Sequence, residues 1–331
     1  MSDFAAARLS IVIPMYNEAE NAAPMLNRVH EALAGVPFAW ELIVVDDGSS
    51  DGTAKLLRQE GARFGSHVQV VELQRNYGQT AAMQAGIDAA RGDYIATLDG
   101  DLQNDPADIP DMLKQLIDDD LDLLCGWRKN RQDTLILRKI PSRIANKLIR
   151  NTTGVHIHDY GCSLKLYRSA IIKQVKLYGE MHRFIPVWAA LVTSPSRIGE
   201  RVVSHHARQF GTSKYGISRT FRVFIDLLSV WFFLRFRARP GHFFGVFGLF
   251  VGALGAVGLL YLAGLKLFTG ASIGTRPLLL VSVMLELTAV QLITTGVLAE
   301  LLSRTYYESS DKAIYAARPG PEGEADWQLP A

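Results

Sequence analysis

From Pro240 to Leu265 the chain carries no Asp, Glu, Lys or Arg. An uncharged run of 26 residues is long enough for a helix to cross a hydrocarbon layer, and its glycines suit close helix packing. After a connector holding Lys266 and Arg276, Pro277 to Ala299 repeats the pattern with one charge, Glu286, near its middle. A carboxylate in lipid is costly, so Glu286 is expected to face another helix or to be protonated. Two spans are therefore expected, at 240–265 and 277–302, with the membrane as a partner. Arg235, Arg237 and Arg239 precede the first, and Arg304, Lys312 and Arg318 follow the second, which puts both ends on the cytosolic side. Gly-rich spans also suit a homo-oligomer.

Upstream, 216–239 reads as an amphipathic juxtamembrane helix. Ile217, Phe221, Phe224, Ile225, Leu228 and Phe232 share one helical face, and Arg219, Arg222, Asp226 and Ser229 the other. Such a helix suits a bilayer interface; packing on the soluble part is the alternative. The tail, 303–331, is expected to be cytosolic and, from Pro319, disordered.

Charge is dense before Arg239, but 35 Lys and Arg against 33 Asp and Glu leave a net charge of only +2, so nucleic acid is not an expected partner. No basic stretch followed by an apolar core opens the sequence, so no signal peptide is expected and 1–215 should be a cytosolic domain. Cys125 and Cys162 form neither a disulfide framework nor a zinc spacing, and are expected to be buried and reduced.

The first hundred residues alternate two periodicities. Leu9–Ile13, Glu41–Val45, Val68–Leu73 and Tyr94–Leu98 are near-continuous apolar runs, and Glu18–Ala34, Gly52–Phe64 and Thr80–Ala90 have helical spacing between them. That pattern predicts an α/β domain with a mainly parallel sheet covered on both faces. Ligands of such folds bind beyond the carboxyl ends of the strands. Three polar segments fall there: Pro14–Glu18, Asp46–Thr53 and Asp99–Gln103. Asp99 and Asp101, spaced i, i+2 after a buried strand, can converge on one hard divalent cation, Mg²⁺ or Mn²⁺, that keeps positions open for phosphate oxygens. Asp46 and Asp47 offer carboxylates to ribose hydroxyls or base N–H groups, while Asp51 is expected to cap the next helix. Neither G-x-G-x-x-G after the first strand nor G-x-x-x-x-G-K-[ST] occurs, which disfavours dinucleotide and P-loop readings.

Four motifs in order carry a resemblance: Pro14-x-Tyr16-Asn17-Glu18, Asp46-Asp47-Gly48-Ser49-x-Asp51-Gly52-Thr53, Arg75-Asn76-x-Gly78-Gln79 and Asp99-Gly100-Asp101-Leu102-Gln103-x-x-Pro106. Together they resemble the family 2 glycosyltransferases of GT-A fold, specifically the polyprenyl-phosphate sugar synthases, over about residues 8–215. The resemblance implies inverting transfer of a hexose-type sugar from a nucleotide diphosphate, UDP before GDP, to polyprenyl phosphate. It implies that Pro14, Tyr16, Glu18, Asp46, Asp47 and Asp99 bind the donor, and that Asp99, Asp101 and Gln103 hold the metal. Arg208 and Lys214, in Arg208-x-x-Gly211-x-Ser213-Lys214-Tyr215, are similar to a loop that closes on donor phosphates. Arg128, Arg138 and Ser142 match the acceptor-phosphate pattern, although a solvated basic face would also explain the arginines. Asp159, with Asp101, is the catalytic candidate, either orienting the acceptor or assisting proton transfer; a turn aspartate is the competing reading.

His156, His158, His205 and His206 lack a convincing zinc spacing, and Asp118–Asp120 reads as a solvated loop. A processive polysaccharide synthase would bring a Q-x-x-R-W motif and more spans, and neither occurs. A non-catalytic membrane scaffold would not need Asp99, Asp101 and the acceptor-side arginines.

Overall fold

Strand β1 (Arg8–Met15) is buried from Leu9 onward, because it lies between β2 (Ala39–Asp46) and β4 (Tyr94–Thr97), parallel to both. A strand covered on every side is mostly apolar, which accounts for the Leu/Ile/Val run that only Ser10 interrupts between Leu9 and Ile13; each such apolar side chain contributes roughly 1.5–3 kcal/mol on burial. The computed structural model describes residues 3–129, 154–177, 179, 181–207 and 240–309, which fall into two units, one within 1–224 and the other within 225–312.

In the first unit, β3 (Val68–Glu72) extends the sheet beyond β2. On the other side β6 (Lys165–Arg168) runs antiparallel to β4 and to β5 (Leu123–Trp127), and β7 (Ile198–Val202) closes the sheet parallel to β5. The order is β3-β2-β1-β4-β6-β5-β7. Strand β5 starts at Leu123, shortly after the Asp118–Asp120 segment. The preceding Asp120 has a φ of 48°, and its carboxylate pairs with Arg168 and Arg197.

Helices α1 (Ala19–Ala32), α2 (Thr53–Phe64), α3 (Gln79–Ala89) and α4 (Ile109–Asp118) follow β1 to β4. Shorter α5 (Ser169–Ile172) and α6 (Ile185–Ala189) follow β6. Helix α3 is buried from Thr80 to Ile87, and Gly86 lets it lie on the sheet: a Cβ there would collide with Val12 Cγ1 and stand 3.1 Å from Val45 Cγ2. One buried charge is answered locally. Glu41 is 1% exposed, and its carboxylate accepts from Ser10 Oγ at 2.6 Å and from Arg91 Nε and Nη2 at 3.1 and 2.9 Å. The strand order reverses at β1, so the loops after β1, β2 and β4 frame one crevice.

The second unit is two apolar helices, α7 (Pro240–Thr269) and α8 (Pro277–Ser309), long enough to cross a bilayer over Phe243–Thr269 and Pro277–Ala299. Both run past the expected limits of 265 and 302, since the backbone hydrogen bonds of a helix continue beyond its apolar stretch. Gly248, Gly252, Gly255 and Gly258 form the contact face of α7; a Cβ at Gly248 would stand 2.8 Å from Ile293 Cγ1, and one at Gly255 3.0 Å from the Ser282 carbonyl. Glu286 faces that stripe, its Cγ 3.2 Å from where a Gly255 Cβ would lie. The expected juxtamembrane helix and the tail beyond Ser309 lie outside the described residues.

Candidate active site

The turn after β1 and the turn after β2 are stitched together before any ligand is considered. Asn17 donates its N–H to Ser49 Oγ at 2.9 Å and accepts from the Ser50 N–H on Oδ1, also at 2.9 Å. Asp51 Oδ1 accepts from the Thr53 N–H and Oδ2 from the Ala19 N–H, at 3.0 and 3.2 Å, so one carboxylate serves the first turns of two helices. The cap position itself is Gly52, with a φ of 94°, one residue later than expected.

The adjacent acidic pair is divided. Asp47 lines the cleft and holds the start of α3: Oδ1 and Oδ2 accept from the Tyr77 and Gly78 N–H groups at 2.7 and 2.9 Å. Burial raises its pKa against those two bonds. Asp46 is not among the residues lining the cleft; its Oδ2 accepts from the Ser49 N–H at 3.1 Å, and its buried Oδ1 lacks a partner among the described residues. Between these turns Gly48, φ 66°, lies against the Arg75 backbone, where a Cβ would stand 2.6 Å from Arg75 Cα.

The end of β4 supplies the reactive-looking pair. Asp99 Oδ1 accepts from Gln79 Nε2 at 2.7 Å, and the Asp99 N–H reaches Ser163 Oγ at 3.3 Å. Burial, reinforced by the neighbouring Asp101 carboxylate, pushes the Asp99 carboxyl up to about 6. Asp101 Oδ1 accepts from the Gln103 N–H at 3.2 Å. The chain bends sharply here: fully buried Leu102 has a φ of 61°, a left-handed conformation that costs a leucine about 1–3 kcal/mol and persists only because its surroundings impose it. Gly100 makes room, since a Cβ there would stand 2.8 Å from Met15 Cγ.

Pro14, Tyr16 and Glu18 join Asp47, Gln79, Asp99 and Asp101 around a cleft of about 200 Å³, with Tyr16 38% exposed at its rim. Gln103 is not among the lining residues; its carbonyl accepts from the His206 N–H at 2.8 Å. Among the described residues no three His, Cys, Asp or Glu side chains gather to enclose a metal. A pair of crowded carboxylates facing a cleft nevertheless fits a hard cation such as Mg²⁺ or Mn²⁺, which takes one or two protein carboxylates and completes its shell with water and phosphate.

Arg128, at the end of β5, meets Asp159 in a forked pair: Nε to Oδ2 at 2.7 Å and Nη2 to Oδ1 at 3.0 Å, with both side chains under a fifth exposed. Burial alone would raise the Asp159 pKa, but the Arg128 bonds and charge hold it below the usual carboxylate range. Beside the pair, the Trp127 ring stacks on His158 at 4.3 Å, and His158 pairs with Glu200. His206 bonds Asp105 at 2.7 Å, and among the described residues the histidines join no group of three potential metal ligands. Cys125 and Cys162 are buried and free. Arg138, Ser142, Arg208 and Lys214 lie outside the described residues. Sequence reasoning passed over Lys165, a buried lysine whose one signal is its place inside the apolar run Leu164–Tyr167, and Ser163, which braces Asp99.

Residues 10–176 match the glycosyl transferase family 2 profile. The chain is 61% identical over 310 residues to dodecaprenyl-phosphate galacturonate synthase of Rhizobium johnstonii, covering 94% of this chain and 92% of that one. It is 38% identical over 300 residues to undecaprenyl-phosphate 4-deoxy-4-formamido-L-arabinose transferase of Pseudomonas fluorescens, covering 90% and 85%. Among solved structures, glucosyl-3-phosphoglycerate synthase of Mycobacterium tuberculosis, crystallised with Mn²⁺ and UDP-glucose, shares the fold at a TM-score of 0.54 and 16% identity, over 68% of this chain and 79% of that one. The same enzyme was also crystallised with Mg²⁺ and UDP.

Proposed function

The chain is a glycosyltransferase of family 2, and from that premise we propose that it moves a sugar from a nucleotide diphosphate to the phosphate of a polyprenyl lipid, with inversion at the anomeric carbon. The observation that carries this reading is the presence of two unlike groups just beyond the ends of β4 and β5. Crowded Asp99 and Asp101 suit a divalent cation, and the Arg128 guanidinium is close enough to Asp99 for the two charges to interact. The names of relatives at 61% and 38% identity support the acceptor class, and the first of them, named for galacturonate, makes a nucleotide-linked hexuronate the leading donor.

Tyr16, Glu18 and Asp47 receive the nucleoside, and Asp99 and Asp101 hold Mg²⁺ or Mn²⁺ with Gln103 alongside. The metal, when bound, neutralises charge on the departing nucleotide diphosphate. Arg128 orients the acceptor phosphate, with Arg138 and Ser142 completing that side and Arg208 and Lys214 closing on the donor. An acceptor phosphate oxygen attacks the anomeric carbon as the bond to the diphosphate oxygen breaks on the opposite face, which inverts the centre in one displacement. The phosphate is ionised at neutral pH, so no protein base is required. Asp159, held as the counter-charge of Arg128, positions that arginine. Helices α7 and α8 anchor the chain in the membrane that carries the polyprenyl lipid, with both chain ends in the cytosol.

The test is a panel of UDP- and GDP-sugars, UDP-galacturonate included, with undecaprenyl phosphate and Mn²⁺, scored by product mass. A glycosylated polyprenyl phosphate formed from at least one donor supports the reading. Donor hydrolysis without lipid product, or no reaction with any donor, would contradict it.

A further inference from the structure

Lys165 is a cation that the reaction just described does not use. It opens β6, in register with Thr97 of β4 and Cys125 of β5, and is 2% exposed. An ammonium is rarely buried so completely unless its charge and its donors are answered. Its Nζ donates to the Cys162 carbonyl, and its charge acts on both Asp99 and Asp159.

The Cys162 carbonyl lies within a five-residue turn whose two ends hold unlike groups. At one end Asp159 grips the Arg128 fork. At the other, Ser163 Oγ accepts from the Asp99 N–H and from Asn104 Nδ2 at 2.5 Å, while the Ser163 carbonyl accepts from Thr97 Oγ1 at 3.0 Å. Any shift of this turn therefore moves the guanidinium and the carboxylate relative to one another. The charges are also interleaved: Asp99, Asp101 and Asp159 against Arg128 and Lys165. Taking Lys165 away adds an uncompensated negative charge where two phosphate-bearing substrates must meet.

We propose that Lys165 is a positioning residue for sugar transfer, anchoring the Asp159–Ser163 turn so that Arg128 and Asp99 keep the separation the two substrates need. This rests on the transfer reading above. A cation serving the fold alone would behave differently, because a well-packed apolar isostere of a buried charge is often neutral or stabilising.

The experiment compares the detergent-solubilised full chain with Lys165→Met and, because a bulkier cation tests the same anchor, Lys165→Arg. Rates are expressed per competent donor site, counted by UDP binding, so that unfolded material does not imitate lost turnover. Lys165→Met is expected to lower kcat/KM for polyprenyl phosphate about 10- to 100-fold, the usual effect of removing a group that orients a direct ligand. The KM for the nucleotide sugar should rise by a smaller factor than that for polyprenyl phosphate, and Lys165→Arg should fall between Lys165→Met and wild type. Lys165→Met with wild-type kcat/KM per site would overturn the proposal alone, as would failure of both variants to give UDP-binding protein, which would make the cation a folding element. A wild-type chain inactive on every donor would overturn the transfer reading and this inference with it.

Discussion

Replacing Asp159 with asparagine separates two roles that a carboxylate beside an acceptor could have. The structure gives Asp159 two charge-assisted bonds from Arg128, at 2.7 and 3.0 Å, between side chains 16% and 12% exposed. Hydrogen bonds to charged groups contribute about 1.5–3 kcal/mol each, and breaking a buried pair costs about 3–5 kcal/mol. Asparagine keeps one acceptor oxygen and this pair retains some solvent, so Asp159→Asn should destabilise by about 2–4 kcal/mol. Most of that cost is the stranded guanidinium. The double variant Arg128→Met, Asp159→Asn should therefore be more stable than the sum of the single effects, by about 1.5–3 kcal/mol. Thermal unfolding in detergent, followed by tryptophan fluorescence for the four proteins of the cycle, measures this coupling. The catalytic consequence follows from the same pair. A carboxylate held below its usual range by Arg128 stays ionised near neutral pH and is a weak base there. Asp159→Asn should thus raise KM for polyprenyl phosphate and leave the shape of the pH–rate profile intact. Additive stabilities, together with loss of a limb from that profile, would refute the positioning role and restore Asp159 as the base.

Acid should weaken the catalytic unit through a half-buried histidine pair. His30 Nδ1 donates to the Leu26 carbonyl at 2.7 Å, which leaves its Nε2 to accept from His67 Nε2–H at 2.9 Å. Burial, and then His30, lower the His67 pKa from 6.5 to about 4. Between those values the unfolded chain binds a proton that the folded one does not, so stability is full above pH 6.5 and falls by up to about 3 kcal/mol as pH drops toward 4. Melting temperatures at both ends of that window, for wild type and for His67→Phe, check this; the variant should lose most of the acid sensitivity. Gly86→Ala should cost about 1–3 kcal/mol in denaturant unfolding, because its Cβ meets Val12 and Val45 across a packed helix–sheet contact. Chelation with EDTA should abolish transfer and Mn²⁺ should restore it, whereas a rate unchanged by EDTA would remove the metal from the account.

The parallel half of the sheet was legible because β1, β2 and β4 lie between other strands, and enclosure writes a mainly apolar run; edge strand β3 keeps enough valines to show as well. The cleft was legible for a related reason: the turns after β1, β2 and β4 must converge once β1 is central, so their polar residues meet. The other half hid its signals. Strand β6 begins with Lys165 and β7 reads Ile-Gly-Glu-Arg-Val, neither of which alternates or runs apolar. Arg128 and Asp159 stand 31 positions apart, and nothing in either segment announces their pairing. Asp46 and Asp47 look equivalent in sequence, yet adjacent side chains at a strand end point to different sides, so only Asp47 lines the cleft. The buried lysine violates the pattern that sequence reading relies on, which is why it passed unnoticed.

The central claim is that Asp99 and Asp101 bind the donor diphosphate through a divalent cation. Calorimetric titration of UDP into the solubilised chain, with and without Mn²⁺, for wild type and Asp101→Asn, tests it without requiring turnover. The account predicts that Mn²⁺ tightens UDP binding about 10-fold or more in the wild type and has little effect in the variant. Equal UDP affinity with and without the metal, or the same metal effect in both proteins, would contradict it.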